Sequence, residues 1–439
     1  MPNKLIIKKK IKKFNKTINV SGDKSISIRW VLFSSLANGI SKAKNLLMSE
    51  DVIAALDAIK ALGIKSKITK YDCKIFGRGL NGYKYKKNIT INAKNSGTLG
   101  RLILGLLINT PYPIKIIGDK SLSKRDFKRI SDPLRKFGAK FKLKRNKNLP
   151  LLITGSSNLK PISYKEERGS AQCKSSVIFA GMRTDGNTFI KAKKSRDHTE
   201  VMCKNLKIPI KIINRKNYDK IQINKVNNIE PLNYQIPSDI SSGAFFITLT
   251  ALSQNSSLIL KNININTSRI GLISILKRMG VKIKFKNKKI YKGERIADIK
   301  IESPKIIKAI NCPTKYNSGA IDEFLLIFLI AAKAKGVSYF KDLTELNQKE
   351  SPRLKWGNII LNQMGIKTIL NKDSIKIFGN PNLIINKRII IKNYLKDHRV
   401  FMTSVIAALT FGGTWHIHDK NSIKTSFPNF LKILDKLKK

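Results

Sequence analysis

A single pattern of hydrophobic and polar positions recurs along the chain. Each copy is an amphipathic stretch, a short break at a glycine, and then a run in which apolar and polar residues alternate. In the first copy Val52, Leu56 and Ile59 keep the spacing of one helical face. A helix that ends at a left-handed glycine and continues as a strand accounts for the pattern. The clear copies surround Gly63, Gly138, Gly280 and Gly365.

The repetition predicts an α/β protein, because helices and strands alternate throughout. A weaker copy has Ile208-Pro209 in place of the glycine, and the stretch 427–439 has the pattern of a sixth helix with no strand after it. Six units in 439 residues average about 73 residues each, which suits a compact βαβ-type unit and is too long for a solenoid repeat.

Composition adds a large positive charge, with 86 Lys and Arg against 28 Asp and Glu and a net charge of +58. Such a charge raises the hypothesis of a nucleic-acid-binding protein. The lysines are scattered through almost every segment and outnumber the arginines about fourfold, whereas nucleic-acid binders concentrate their charge and interleave aromatic residues. Lys, Ile and Asn share AT-rich codons, and all three are abundant. Codon bias therefore explains much of the excess of lysine. We therefore expect no nucleic acid as partner.

Other features of the composition favour a cytoplasmic protein. The longest apolar run, 324–332, is far shorter than the roughly 18 residues of a membrane-spanning helix, and the lysine-rich start lacks the apolar core of a signal peptide. We expect no membrane association. The cysteines are too far apart for a zinc site or a disulfide framework and are expected to be reduced: Cys73, Cys173, Cys203 and Cys312.

Two segments rich in small residues open apolar helices and suit anions. In the first, residues 20–29, Lys24 and Ser25 lie on turns next to Arg29 at the start of a helix, where unpaired N–H groups and the helix dipole favour a phosphate or carboxylate. The pattern of an NTPase phosphate loop is absent. In the second, residues 95–101, Gly97 would let a ligand approach the backbone closely.

The remaining polar segments each begin or precede a helix, and each taken alone is explained by helix capping. One of them is acidic: Asp322 and Glu323 directly precede the most apolar helix, where the helix dipole favours negative charge and a base could be partly desolvated. The other segments are 118–125, 170–176, 196–200, 237–242, 349–353 and 397–399.

Taken in order, these segments resemble the EPSP synthase family, the 3-phosphoshikimate 1-carboxyvinyltransferases. The resemblance runs from Val20 to Pro428 and rests on the motifs GDKSxSxR, NSGTxxR, GDxSLxKR, SAQxKS, RDHTE, DE before an apolar helix, KESxR and DHR. It implies the two-domain enolpyruvyl-transferase fold, an inside-out α/β barrel in which each domain has three βαβαββ repeats. Residues 1–21 and 240–439 are expected to form one discontinuous domain, and residues 22–239 the inserted one.

The resemblance also implies the activity. The family transfers the enolpyruvyl group of phosphoenolpyruvate to the 5-hydroxyl of 3-phosphoshikimate and releases phosphate, in the shikimate pathway to chorismate and the aromatic amino acids. It uses neither a metal nor an organic cofactor. We expect the same two small-molecule substrates here, no cofactor, and a monomer.

Site residues follow from the same motifs. The resemblance makes Asp322 the proton acceptor for the 5-hydroxyl, Glu350 the group that handles the proton of the enol methylene, and Lys24 a contact to both substrates. The residues implied to bind 3-phosphoshikimate are Lys24, Ser25, Arg29, Ser170, Ala171, Gln172, Arg196, Asp322 and Lys349. Those implied to bind phosphoenolpyruvate are Lys24, Gly97, Arg125, Gln172, Arg353 and Arg399.

Several positions depart from the family pattern. Ile28 replaces a frequent Asn, and Asp126 and Pro352 stand where Pro and Asp are common. Asn347 occupies a position often held by Arg, and Lys424 is an uncertain substitute for a lysine near the C-terminus. The alternative within the fold, an enolpyruvyl transferase acting on UDP-N-acetylglucosamine, depends on a loop cysteine, and residues 111–125 contain none.

Overall fold

The computed structural model describes residues 3–69 and 72–438. In this part of the chain, strands and helices alternate as the repeated pattern predicts. The strands are β1 (Lys4–Ile7), β2 (Asn15–Ile18), β3 (Asn38–Lys44), β4 (Lys65–Ile68), β5 (Asp72–Arg78), β6 (Thr90–Asn92), β7 (Ile114–Ile117), β8 (Lys140–Lys144), β9 (Asn148–Thr154), β10 (Ser163–Glu166), β11 (Thr188–Lys193), β12 (Ile210–Asn214), β13 (Tyr218–Ile223), β14 (Tyr234–Gln235), β15 (Ser257–Asn264), β16 (Lys282–Tyr291), β17 (Glu294–Glu302), β18 (Gly336–Phe340), β19 (Thr368–Leu370), β20 (Ile375–Gly379), β21 (Ile385–Ile391) and β22 (Gly412–His418).

The α-helices fall between these strands, and short 3₁₀ turns occur at four further places in the described chain. The helices are α1 (Lys24–Leu36), α2 (Glu50–Ala61), α3 (Gly97–Leu106), α4 (Lys128–Lys136), α5 (Ala171–Gly181), α6 (His198–Asn205), α7 (Ile240–Leu252), α8 (Gly271–Arg278), α9 (Asn317–Ala320), α10 (Phe324–Ala332), α11 (Arg353–Gln363), α12 (His398–Phe411) and α13 (Phe430–Lys438).

The glycines of the repeated pattern end their helices as predicted. Gly63, Gly138, Gly280 and Gly365 all have positive φ angles, between 84° and 115°, and a strand follows each of them. In the weaker copy the left-handed residue is Lys207, with φ of 56°, directly before Ile208-Pro209. A side chain in this conformation costs energy that glycine avoids, which explains why that copy is less regular.

The chain folds into two units. The discontinuous unit comprises Met1–Ser21, Pro237–Ile290 and Arg295–Lys439, and the inserted unit comprises Gly22–Ile236 and Tyr291–Glu294. Pro237 to Asp239 join the discontinuous unit because Ser238 bridges to Ile263 and Asp239 N donates to Ser21 O over 3.0 Å.

Residues 291–294 belong to the inserted unit because of specific side-chain contacts. The Tyr291 ring packs edge-on against Tyr234, with ring centroids 5.4 Å apart, and Tyr291 Oη accepts from Gln235 N over 2.9 Å. The Glu294 carboxylate lies 2.6 Å from His198 Nδ1. The hydrophobic pattern carries no signal for these four residues.

Three four-stranded sheets form the inserted unit, with orders β14-β3-β5-β4, β6-β7-β9-β8 and β10-β11-β13-β12. Each has one parallel pair, and its last two strands are antiparallel. Each of the second and third sheets is formed by one run of β-α-β-α-β-β along the chain. The first sheet is completed by β14, which follows the other strands of this unit in sequence.

Three sheets also form the discontinuous unit, with orders β16-β17-β15-β2, β18-β20-β19 and β1-β22-β21. The parallel pair of β2 and β15 joins strands from both sides of the insertion. In the last sheet β22 pairs antiparallel with β1 and parallel with β21. The N-terminal strands are therefore held by strands from the C-terminal part of the chain.

Each unit has its own hydrophobic core built around three buried helices. In the inserted unit these are α1, α3 and α5, and in the discontinuous unit α7, α10 and α12. Every residue of α7, α10 and α12 is buried, so these helices lack a polar face. The helices of the repeated pattern are amphipathic, and α2, for example, buries Val52 and Ile59. Many of the candidate site residues lie at helix starts, including those of the buried helices.

Candidate active site

The three buried helices of the inserted unit all start at a capped, polar turn. Asp23 Oδ1 accepts from Ile26 N over 2.9 Å at α1, Ser96 Oγ accepts from Leu99 N over 3.3 Å at α3, and Ser170 Oγ accepts from Cys173 N over 3.3 Å at α5. Each cap satisfies one N–H of the first turn, and the others remain oriented out of the helix end. Capping and anion binding are therefore compatible at these positions.

Lys24 and Arg29 are held in different ways on α1. Lys24 Nζ lies 2.9 Å from Asp51 Oδ2, and its side chain is partly exposed. Arg29 is buried. Its Nε donates to Thr199 Oγ1 over 2.7 Å, and its Nη1 donates to Ser25 O over 3.0 Å. Arg29 therefore connects the first turn of α1 to α6 through a hydroxyl.

A group of cationic and amide side chains surrounds Gly97 at the start of α3. A methyl group at Gly97 would lie 2.8 Å from Arg125 Nη1 and 3.2 Å from Arg101 Nη1. Gln172, at the start of α5, accepts from Arg101 Nη1 at Oε1 over 2.6 Å, and its Nε2 donates to Thr98 Oγ1 over 3.1 Å. Three of the predicted site residues, Gly97, Arg125 and Gln172, thus meet around Arg101.

The other predicted residues of the inserted unit lie at helix starts as well. Ser170 is the N-cap of α5 and Ala171 its first residue. Arg196 is half-buried and lies two residues before α6.

In the discontinuous unit, Arg353 is the centre of a buried ion-pair network. It is the first residue of α11 and is 1% exposed. Its Nε donates to Asp397 Oδ2 over 2.9 Å, its Nη1 to Asp322 Oδ1 over 3.2 Å, and its Nη2 to the Glu350 carboxylate. Asp397 also accepts from Ser351 Oγ over 2.9 Å. The network fixes the guanidinium among three carboxylates.

The charges of this network shift its pKa values in opposite directions. Burial alone would lower the pKa of the Arg353 guanidinium, but Asp397, Glu350 and Asp322 raise it above its ordinary value. Burial alone would raise the pKa of the Asp397 carboxyl, but Arg353 holds it below its ordinary value. Both groups are therefore ionised at neutral pH. Asp397 also caps α12 by accepting from Arg399 N over 2.9 Å. The same carboxylate therefore pairs with Arg353 of α11 and caps α12.

Asp322 lies at the edge of the network and is partly exposed. Its carboxylate is 3.4 Å from Lys349 Nζ and 3.9 Å from Arg399 Nη2. Arg399 Nη1 donates to the Asp322 carbonyl oxygen over 2.6 Å and lies 3.4 Å from Glu323 Oε1. Five predicted residues are thus adjacent in one unit: Asp322, Lys349, Glu350, Arg353 and Arg399. A carboxylate held among fixed cations, and partly open to solvent, is suited to accept a proton from a bound hydroxyl.

Comparison with known proteins identifies the family. Residues 8–434 match the family model of EPSP synthase (3-phosphoshikimate 1-carboxyvinyltransferase). The chain belongs to the EPSP synthase family. It is 38% identical over 425 residues to the 3-phosphoshikimate 1-carboxyvinyltransferase of Ruthia magnifica subsp. Calyptogena magnifica, a match that covers 96% of this chain and 94% of the relative.

Solved structures agree with membership of the EPSP synthase family. The EPSP synthase of Acinetobacter baumannii superposes with a TM-score of 0.85 at 34% identity, over 98% of this chain and 97% of that one. The enolpyruvyl transferase NikO of Streptomyces tendae superposes with a TM-score of 0.77 at 13% identity, over 100% of this chain and 98% of that one, and this shows the shared fold. The two-domain α/β fold is confirmed. The alternatives, a UDP-N-acetylglucosamine transferase and a nucleic-acid binder, are not favoured.

Some residues of the site region lie outside the sequence-based set. Arg101 and Asp397 belong to the family motifs NSGTxxR and DHR, but were not among the predicted site residues. Glu323 is buried and accepts from Ser241 Oγ over 2.6 Å. The signal for all three was their place within a motif that also contains a predicted residue. Lys424, by contrast, is exposed in a 3₁₀ turn.

Across 3–69 and 72–438, no group of three or more His, Cys, Asp and Glu side chains is arranged to hold a metal ion. Nor does any helix within those ranges have the length and apolar character required to cross a membrane.

Proposed function

We propose that this member of the EPSP synthase family transfers the enolpyruvyl group of phosphoenolpyruvate to the 5-hydroxyl of 3-phosphoshikimate. The products are 5-enolpyruvylshikimate 3-phosphate and phosphate. The observation that carries the proposal is the position of Asp322, whose partly exposed carboxylate lies beside Lys349 and Arg353 in a chain that matches the family over nearly its whole length. A base next to fixed cations suits an anionic substrate with a hydroxyl group to deprotonate.

The polar turns of the inserted unit are the proposed contacts for 3-phosphoshikimate. Ser170, Ala171 and Gln172 offer a hydroxyl, a backbone N–H and an amide at the start of α5, where the helix dipole favours a phosphate. Lys24, Ser25 and Arg29 offer two cations and a hydroxyl at the start of α1. Support comes from the hydrogen bonds that hold Arg29 to Thr199 and to Ser25, since they fix the group before the ligand arrives. Arg196, Asp322 and Lys349 complete this proposed set.

Phosphoenolpyruvate carries a phosphate and a carboxylate, and we assign it a separate set of cations. Arg125 Nη1 would lie 2.8 Å from a methyl group at Gly97, and the absence of a side chain there lets a ligand approach the backbone closely. Arg353 and Arg399 supply planar guanidinium groups, which suit bidentate contacts to a carboxylate or phosphate. Lys24 and Gln172 complete this proposed set.

The proposed chemistry is an addition followed by an elimination. Asp322 accepts the proton of the 5-hydroxyl as its oxygen forms a bond to C2 of phosphoenolpyruvate, and Glu350 delivers a proton to the methylene carbon C3. In the second step the methyl group returns a proton to Glu350, and the bond from C2 to the phosphate oxygen breaks, which releases phosphate and forms the enolpyruvyl double bond. Contacts from Arg125, Arg353 and Arg399 to the phosphate and carboxylate hold phosphoenolpyruvate in place and stabilise the negative charge that the phosphate gains as it leaves.

The direct test is release of inorganic phosphate from the two substrates. We expect phosphate only when both phosphoenolpyruvate and 3-phosphoshikimate are present, at a rate that metal chelators leave unchanged. Parallel reactions replace 3-phosphoshikimate by UDP-N-acetylglucosamine. Turnover with the nucleotide sugar alone would overturn the assigned substrate, and binding to DNA without any phosphate release would favour a nucleic-acid partner. The proposal also includes a monomer in the cytoplasm, and light scattering measures the oligomeric state.

A further inference from the structure

Arg101 is a buried guanidinium that forms no contact ion pair with a carboxylate among the described residues. It is 6% exposed, and among residues 3–69 and 72–438 no Asp or Glu oxygen lies within ion-pair distance of it. Burial, followed by the charges of Arg125 and Arg129, lowers the pKa of Arg101 to about 10, although the charge of Asp126 acts in the opposite direction, so the group is still charged at neutral pH. Burying an unpaired charge is costly. This unfavourable burial occurs at the start of α3, beside the proposed phosphoenolpyruvate contacts.

The contacts of Arg101 are all to neutral groups. Its Nη1 donates to Gln172 Oε1 over 2.6 Å, its Nη2 donates to Asp126 O over 3.4 Å, and its guanidinium carbon lies 5.3 Å from the centroid of the Phe127 ring. Nε has no hydrogen-bond partner. The strongest of these contacts is the one to Gln172, because a charged donor to an amide oxygen at this distance is a short hydrogen bond.

A guanidinium donates hydrogen bonds and never accepts them, and this decides how the Gln172 amide is oriented. The amide atom that faces Arg101 must be the oxygen, since an NH₂ group there would meet another donor. The NH₂ group then points away from Arg101, where one of its N–H bonds reaches Thr98 Oγ1 over 3.1 Å. The second N–H of Nε2 stays available for an oxyanion. In the opposite orientation the same site would present an acceptor oxygen to an anion.

We propose that Arg101 is a positioning residue, which holds the Gln172 amide with its Nε2–H toward a substrate oxyanion. This inference rests on the proposed function, because it assigns Gln172 to the binding of anionic substrates. Arg101 acts through Gln172 and not through its net charge alone. Its planar group bridges Gln172 and Asp126 while it stacks over Phe127, and a lysine ammonium at this position would lose that combination of contacts.

The chain offers a matched control in Arg183, just beyond the other end of α5. Its Nε donates to Asn109 Oδ1 over 2.8 Å, its Nη2 donates to Asn81 Oδ1 over 3.2 Å, and burial lowers its pKa as well. Arg183 is thus also a largely buried arginine bound to amide oxygens, but it has no contact with a proposed site residue. Arg101→Lys and Arg183→Lys make the same chemical change at the two positions.

The test measures phosphate release and the KM of both substrates for the wild type, Arg101→Lys, Gln172→Leu and the double variant. We expect Arg101→Lys to raise KM roughly tenfold, as loss of a charge-assisted hydrogen bond does, and to raise it for the same substrate or substrates as Gln172→Leu. In the Gln172→Leu background, Arg101→Lys should have little further effect. Arg183→Lys should leave both KM values within about twofold of the wild type.

Other outcomes would overturn the inference. Additive effects of the two substitutions would mean that Arg101 contacts substrate by itself, and unchanged KM values in Arg101→Lys would mean that charge alone suffices. An equal loss of thermal stability in both arginine variants, without any KM change, would reduce Arg101 to a structural group. Absence of phosphate release by the wild type is a separate result, because it rejects the proposed function itself.

A second pair of variants keeps the inference testable should Arg101→Lys fail to fold. Gln172→Glu supplies Arg101 with a carboxylate, so we expect a higher melting temperature together with a KM at least as high as that of Gln172→Leu, because an anionic oxygen then faces the substrate. Thr98→Val removes the acceptor of Nε2 and should raise KM about threefold, whereas Thr98→Ser retains the hydroxyl and should restore it. Wild-type KM values in both Gln172→Glu and Thr98→Val would contradict the inference.

Discussion

The two units have similar arrangements of strands and buried helices, but several arginines at their helix starts donate hydrogen bonds to different kinds of group. In the discontinuous unit the arginines meet carboxylates: Arg269 lies 3.2 Å from Asp239, Arg353 lies 2.9 Å from Asp397, and Arg399 lies 3.4 Å from Glu323. In the inserted unit Arg29 donates to Thr199 and Ser175 hydroxyls, and Arg101 donates to the amide of Gln172.

The difference shows how one architecture supports two electrostatic tasks. Carboxylate partners offset the desolvation of buried arginines and hold them rigidly, and they keep the base candidate Asp322 in a defined position. Hydroxyl and amide partners orient an arginine without adding a negative charge of their own, which favours a positive potential for anions. We therefore expect substitutions of the carboxylates around Arg353 to affect turnover and stability most, and substitutions around Arg101 and Gly97 to affect mainly substrate binding.

The largest expected effect is on turnover. Asp322→Asn removes the proposed proton acceptor but keeps the shape of the side chain, so kcat should fall by roughly 100- to 10,000-fold while the fold is retained. Asp435→Asn makes the same change at an exposed residue of α13 and should leave kcat unchanged. Steady-state kinetics and circular dichroism measure both, and near wild-type turnover in Asp322→Asn would remove this residue from the mechanism.

The next effect is on stability. Asp397→Asn removes a fully buried carboxylate partner of Arg353 and weakens the cap of α12, so the free energy of unfolding should fall by about 3 kcal/mol. Urea unfolding at neutral pH measures it. A loss below about 1 kcal/mol would indicate that Glu350 and Asp322 compensate Arg353 by themselves.

The same carboxyl predicts how stability depends on pH. Its pKa in the folded protein lies below the ordinary value of 3.8, so its contribution is complete above that value and is lost as the pH falls further, toward the folded-state pKa. In urea titrations below about pH 4, Asp397→Asn should therefore lose stability less steeply than the wild type. Parallel curves would contradict the assignment.

A smaller effect is expected on binding in the inserted unit. Gly97→Ala would bring a methyl group to 2.8 Å from Arg125 Nη1, so the guanidinium must move and the KM for phosphoenolpyruvate should rise several-fold at little cost in stability. Gly243→Ala on α7 is the matched control, because its methyl would meet the Leu260 side chain at 3.3 Å and no charged group. Equal KM values in the two variants would show that Arg125 adapts freely.

The smallest effect is expected where an ion pair is exposed. Asp185→Asn breaks the 2.8 Å pair with Lys225, whose side chains are 83% and 45% exposed. Its free energy of unfolding should change by no more than about 0.5 kcal/mol. A change as large as that of Asp397→Asn would mean that burial is not what distinguishes the ion pairs of the two units.

The sequence alone was sufficient to predict the repeat and its helix ends. Period and glycine position are local properties, so the pattern around Gly63, Gly138, Gly280 and Gly365 predicts an amphipathic helix, a left-handed residue and a strand wherever it occurs. The order of the polar motifs likewise carried the family resemblance that the comparisons confirm. The roles of the individual site residues stay predictions.

The partner of each charged side chain was decided only by the tertiary structure. Nothing in the spacing of Arg101 and Gln172, 71 positions apart, or of Arg353 and Asp397, 44 positions apart, distinguishes an amide partner from a carboxylate. These contacts form because helices from different repeats bring their starts together within each unit. Hydrophobic period determines which face of a helix is buried, but the charge that a buried arginine meets depends on three-dimensional proximity, which local sequence does not encode.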